Sequence, residues 1–174
     1  MVLDPDTVKR HEARLYDRVH DERLTRLGDP RNYPDHVASD RYRESVLADY
    51  LRRLPRPKCA ADIGTGQGTW AVRLARYADE VTGVDISEQI LQTARRNADG
   101  LGLSNVSFVQ GDGENIPLSG GIFDVVTHFS LLSYLPNPNR GLAEAHRLLC
   151  PGGHLILDTV SADWWMLPLY LKRW

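Results

Sequence analysis

Asp62 stands two residues before the first of three glycines at alternate positions, Gly64, Gly66 and Gly68. The short apolar run Cys59–Ile63 reads as a buried strand, and Thr69–Ala78 reads as a helix burying Ala71, Leu74, Ala75 and Ala78. A glycine turn between a strand and a helix lets the main chain approach a ligand with no Cβ in the way. It also directs the first free N–H groups of the helix toward that ligand. A dinucleotide fingerprint would place a third glycine three residues after the second. Counted from Gly64 and Gly66, that position is Thr69. A pyrophosphate is therefore a poor fit, and Asp62 would be badly placed against two phosphates.

Two further acids follow at strand ends. Val81–Asp85 reads as a second strand ending in a carboxylate. Its two coplanar oxygens suit the paired hydroxyls of a ribose. Dehydrogenases place an acid at a similar distance, so Asp85 points to an adenosine ligand without choosing between cofactors. Val106–Gln110 reads as a third strand, followed at once by Asp112-Gly113-Glu114. Taken singly, each acid also fits a strand-end or helix-cap carboxylate.

The pattern Asp-x-Gly-x-Gly-x-Gly at 62–68 resembles the first motif of the class I S-adenosylmethionine-dependent methyltransferases. With Phe123-Asp-Val-Val and Leu148-Leu-Cys-Pro-Gly-Gly153, residues 59–160 are most similar to the broad small-molecule and quinone-biosynthesis group. The resemblance implies an α/β, Rossmann-like fold: a doubly wound, mostly parallel sheet of about five strands behind N-terminal helices. It implies S-adenosyl-L-methionine as cofactor, held by Asp62, Gly64, Thr65, Gly66, Gly68, Asp85, Ile86, Asp112, Gly113 and Glu114. Asp112 would accept a hydrogen bond from the adenine amino group. His128, at the end of the fourth strand, is the candidate catalytic base; the competing reading is a histidine bonded to the main chain. The implied activity is methyl transfer to a small molecule, where alignment and water exclusion matter more than a dedicated base. Thr127-His-Phe-Ser130 replaces an Asn/Asp-Pro-Pro-Tyr sequence, which argues against an amide or exocyclic base nitrogen as acceptor. The alternatives are a cofactor-binding domain that is inactive or needs a partner chain, and an NAD-dependent oxidoreductase, which Thr69 disfavours.

The elements that position these residues follow in order. Residues 1–58 read as a helical leader that would cover the cofactor. One helix spans 5–27 and stops at Gly28-Asp29-Pro30. A second spans 40–54, with Ser39 or Asp40 as N-cap and Tyr42, Val46, Tyr50 and Leu54 along its apolar face. Tyr16, Tyr33 and Tyr42 could line an acceptor pocket or pack in the core. Residues 59–160 form the cofactor-binding domain. Ser87 caps a helix whose inner face is Ile90, Leu91, Ala94 and Ala98, closed by Gly100 and Gly102. A fourth strand covers 123–129, a helix 139–149, a turn Cys150–Gly153 and a fifth strand 154–160. Short apolar strands separated by helices predict a parallel sheet covered on both faces. The family's last two strands, an antiparallel hairpin, have no room in residues 161–174. That apolar segment, Trp164 to Trp174, suits a packed helix, a substrate lid, an oligomer contact through the open sheet edge, or an interfacial membrane anchor.

Composition bounds the rest. A chain of 174 residues, 42% apolar and 25% charged, fits one globular domain. A net charge of −2 gives no nucleic-acid surface. Cys59 and Cys150 lack metal spacing and read as small core residues, so no metal is expected. The acidic N-terminus has no apolar signal region, and no run reaches the roughly 18 apolar residues of a membrane span. A cytoplasmic protein acting on a small molecule is the resulting expectation.

Overall fold

A computed structural model describes residues 34–158 and 169–173, with side chains described for 40–158. The expected helix 5–27, its stop at Gly28–Pro30, Tyr16, Tyr33 and Trp164–Pro168 lie outside the described residues.

Five strands run parallel: β1 (Cys59–Ile63), β2 (Glu80–Asp85), β3 (Val106–Gln110), β4 (Phe123–His128) and β5 (Leu149–Asp158). The sheet order is β3-β2-β1-β4-β5-β6. The chain winds outward from β1 to β3 and then returns to β4 on β1's other side. Ligands in such sheets settle past the strands' carboxyl ends at this reversal. Register keeps those ends level: Ile63 faces Val84, Asp85 faces Gln110 and Asp62 faces Thr127. The acids picked out by spacing therefore lie along one rim of the sheet.

Helices cover both faces. On one, Leu47 and Leu51 of α1 (Pro34–Leu51) and Ala71 and Leu74 of α2 (Thr69–Leu74) pack with Ala60, Val81, Val125 and Ile156. On the other, Ala145 and Leu148 of α4 (Pro138–Leu148) pack with Ala61, Ile63, Val84, Val126 and Leu155. Between them in sequence, α3 (Glu88–Gly100) buries Ile90, Leu91, Ala94 and Ala98 as expected. It is capped by Ser87, whose Oγ accepts the Ile90 N–H at 3.1 Å.

Three boundaries differ from the sequence reading. Helix α1 begins at Pro34 and ends at Leu51, running through Ser39 and Asp40 instead of being capped by them. Proline suits a first helical turn because its missing N–H has no partner there anyway. The inward stripe is Arg43, Leu47 and Leu51, spaced by four; Tyr42 is 56% exposed. Next, Cys150–Gly153 lies inside β5 and does not form a separate turn. The register with β4 slips there, from Phe123 opposite Leu149 to Val125 opposite His154, and the irregularity absorbs the proline and glycines. Finally, the outer edge of β5 is paired. β6 (Leu169–Arg173) runs antiparallel to it from Asp158 opposite Leu169 to His154 opposite Arg173. One antiparallel strand, among the described residues, lies where an open edge was expected, and part of the apolar tail is strand.

Both cysteines are half-buried, not core residues; Cys150 Sγ lies 3.6 Å from Asp124 Oδ1. Among the described residues no helix is long and apolar enough to cross a membrane, and no metal-ligating cluster occurs.

Candidate functional site

The glycine turn leaves β1 through three left-handed residues, Gly64, Gly66 and Gly68, with φ of 74°, 54° and 80°. The N–H groups of Gly64 and Thr65 both donate to the Val84 carbonyl, at 2.8 and 2.9 Å, and fasten the turn to β2. Gly64 needs its bare α-carbon twice over. Its φ is one that residues with a Cβ avoid, and a Cβ there would sit 2.8 Å from Leu131 Cδ1. Gly64→Ala should therefore lower the unfolding free energy by about 1–2 kcal/mol. An unchanged urea midpoint would show that the turn tolerates a side chain.

Asp62 is buried and braced by two hydroxyls: Thr65 Oγ1 donates to Oδ2 at 2.7 Å and Thr127 Oγ1 to Oδ1 at 2.6 Å. Burial pushes its pKa up to about 6, against the pull of the two hydroxyls, and the nearby Asp85 charge adds to the rise. Asp85 is joined to the turn itself. Its Oδ2 accepts the Gly66 N–H at 2.8 Å and its Oδ1 the Ser87 N–H at 3.0 Å. The next residue, Ile86, is anchored to β3 through its carbonyl, which accepts from Gln110 Nε2 at 3.0 Å.

The turn after β3 is closed locally. Asp112 Oδ1 accepts the Glu114 N–H and its carbonyl accepts the Asn115 N–H, both at 2.9 Å. Glu114 is buried and its Oε1 accepts the Asn137 N–H at 2.6 Å, which ties this turn to the start of α4. A Cβ on Gly113 would meet Leu135 Cδ2 at 3.3 Å and Leu131 Cδ2 at 3.5 Å. Leu131 thus lies between Gly64 and Gly113, the two sides of the crevice.

His128 ends β4 with no exposed surface, and neither ring nitrogen has a hydrogen-bond partner. The expected main-chain bond is absent. Burial lowers its pKa to about 4, so the ring is neutral at pH 7.

The fold brings Asp62, Gly64–Gly68, Asp85 and Asp112–Gly113 to one rim, with Asp85 bonded to the turn. The spacing argument passed over Thr127, Ser130, Leu131, Arg43 and Asp158. Asp158 carries the signal that marks Asp85, an acid closing a strand. The leucine carries none, since an apolar residue after a strand is unremarked in any sequence.

The sequence model of the methyltransferase-domain family matches residues 61–157, more than half of the chain. The chain belongs to the methyltransferase-domain family. As a methyltransferase-domain chain it is 34% identical over 113 residues to the ubiquinone biosynthesis O-methyltransferase of Pectobacterium atrosepticum, covering 63% of this chain and 46% of that protein. It spans about half the length of the curated relatives it matches. Among solved structures, a SAM-dependent methyltransferase of Thermotoga maritima superposes with a TM-score of 0.62 at 27% identity, over 87% of this chain and 63% of that one. The cyclase SpnF, which is described as a 4+2 cyclase, is 31% identical with a TM-score of 0.59, over 64% of this chain and 43% of its own.

Proposed function

We propose that the chain binds S-adenosylmethionine at the rim and serves methyl transfer to a small molecule. The observation that carries this reading is the hydrogen bond between Gly66 and Asp85, which unites the glycine turn with a strand-end carboxylate beside it. The residues suit the group. Gly64 and Gly66 supply close main chain without a Cβ, Asp85 supplies acceptor oxygens for a ribose, and Asp112 and Gly113 flank the opposite side for an adenine. Asp62, Thr65, Gly68, Ile86 and Glu114 support that set. Asp62 braces the turn through Thr65 and offers negative charge near a cationic ligand. When bound, the cofactor supplies a methyl group on a sulfonium, which leaves without further activation.

The chain's own work is then orientation and exclusion of water. His128 is the group we assign to the acceptor side. Its pKa near 4 keeps it neutral at pH 7 and weakly basic, and because the ring has no exposed surface an acceptor hydroxyl reaches it only when the crevice opens. The likeness to SpnF, a structure described as a cyclase, favours a second reading, in which the site does not serve methyl transfer. Location in the cytoplasm remains part of this proposal.

Thermal or chemical unfolding in the presence of ligands tests both. S-adenosylmethionine and S-adenosylhomocysteine at 100 times their dissociation constants should each stabilise the chain by about 2.7 kcal/mol, and NAD should not. No stabilisation by either sulfur ligand would defeat the reading. Stabilisation without turnover across a panel of phenols, carboxylates and amines would select the second.

A further inference from the structure

Ser130 is the only non-glycine with positive φ among the described residues, at 55°. Left-handed backbone is disfavoured for any residue with a Cβ. Two charged side chains from distant elements hold it there. Asp158, at the end of β5 and buried, accepts the Ser130 N–H on Oδ1 at 2.5 Å. Arg43 of α1 places Nη2 2.7 Å from Asp158 Oδ2 and donates from the same atom to Ser130 Oγ at 3.5 Å. The other guanidinium nitrogen, Nη1, donates to Asp40 at 3.2 Å. A buried carboxylate needs an opposite charge, and Arg43, on the inward stripe of α1, supplies it. The residue after Ser130 is Leu131, whose side chain occupies the space a Cβ on Gly64 would need and reaches toward Gly113.

We propose that Arg43 and Asp158 are positioning residues for the cofactor crevice. By holding Ser130 in the left-handed conformation, they seat Leu131 as the wall between the glycine turn and the Asp112–Gly113 turn. The proposal rests on the cofactor reading above. Both residues act through Ser130 and Leu131, so cofactor affinity becomes sensitive to the docking of α1. This gives a leader helix a part in the site through one buried ion pair, without requiring it to touch the ligand.

The test is calorimetric titration of S-adenosylhomocysteine into the full chain and its variants. Asp158→Ala should bind about tenfold more weakly, the loss of one charge-assisted hydrogen bond transmitted through the backbone. Arg43→Gln, which leaves the Asp158–Ser130 bond in place, should show about a threefold loss. Ser130→Gly alone should bind like wild type, because glycine takes φ of 55° unaided. The decisive species is the double variant Asp158→Ala/Ser130→Gly, which should return to within about threefold of wild type. A merely destabilising role for Asp158 would lower the urea midpoint while leaving the affinity of the folded protein unchanged. Unchanged affinity in Asp158→Ala, or a loss that the second change fails to recover, overturns the proposal. Should Asp158→Ala not fold, Asp158→Leu, which is close in size and removes both acceptor oxygens, takes its place with the same recovery expected. A wild-type chain that takes up no S-adenosylhomocysteine overturns the cofactor reading itself, and this proposal falls with it.

Discussion

Replacing Asp85 with alanine should weaken S-adenosylhomocysteine binding by about 3 kcal/mol, more than a hundredfold. Two losses combine. The carboxylate is the proposed acceptor for the ribose hydroxyls, and charge-assisted hydrogen bonds are about twice as strong as neutral ones. It also fixes the turn: without it the Gly66 and Ser87 N–H groups lose their partners at 2.8 and 3.0 Å. The turn is then less well organised before the ligand arrives, which adds an ordering cost to binding. Asp85→Asn separates the two effects. It keeps one acceptor oxygen but must turn an amide N–H toward one of the two main-chain donors, so an intermediate loss is expected. Isothermal titration of the three proteins decides the matter. A dissociation constant within threefold of wild type for Asp85→Ala would remove Asp85 from the ligand and undo the ribose assignment.

Asp85 was legible because strand, acid and spacing all lie close together in the chain. The same holds for β1, β2 and β3, runs of five or six residues that end in an acid or run straight into glycine and leave little choice of register. What could not be read depends on contacts between distant elements. Helix α1 presents Arg43 to the core, and a charge on the inward stripe shifts the apparent apolar face onto Tyr42, Val46 and Tyr50. Asp158, more than a hundred residues away, supplies the arginine's buried partner. Tyr50 in turn is half-buried, its hydroxyl 2.8 Å from His154 Nδ1 across 104 residues of sequence. The beginning of β5 was hidden for a different reason. Proline and two glycines predict a turn, and only pairing with β4 draws Cys150–Gly153 into the strand, at the cost of a slipped register. For the site, chemistry at strand ends was readable, whereas the wall made by Leu131 was not. Its importance comes from standing beside two glycines that the chain brings together from separate turns.

The pH dependence of stability offers a sharper test of the buried rim, because Asp62 and His128 pull in opposite directions. Asp62 has a folded pKa of about 6 against an ordinary 3.8. The folded chain holds that proton more tightly, so this stabilising contribution is complete below pH 3.8 and is lost as pH rises through 6. His128 has a folded pKa of about 4 against an ordinary 6.5. Here the unfolded chain holds the proton more tightly, so the contribution is complete above pH 6.5 and is lost as pH falls toward 4. Each changes the unfolding free energy by about 1.4 kcal/mol per pH unit within its window. Between pH 4 and 6 the two slopes oppose and largely cancel in the wild type. Single substitutions should expose them. Between pH 7 and 4.5, His128→Leu should gain about 2–3 kcal/mol relative to wild type, and Asp62→Asn should lose about 2. At pH 7 His128→Leu should already be more stable by about 1 kcal/mol, since a leucine of similar size removes two buried nitrogens that lack partners. Urea unfolding of the three proteins at a series of pH values reads all of this directly. Curves that stay parallel would mean that neither group titrates differently in the folded chain. If His128→Leu also keeps S-adenosylhomocysteine affinity but loses turnover, the ring's cost in stability serves the acceptor; if turnover survives, His128 has no part in the chemistry.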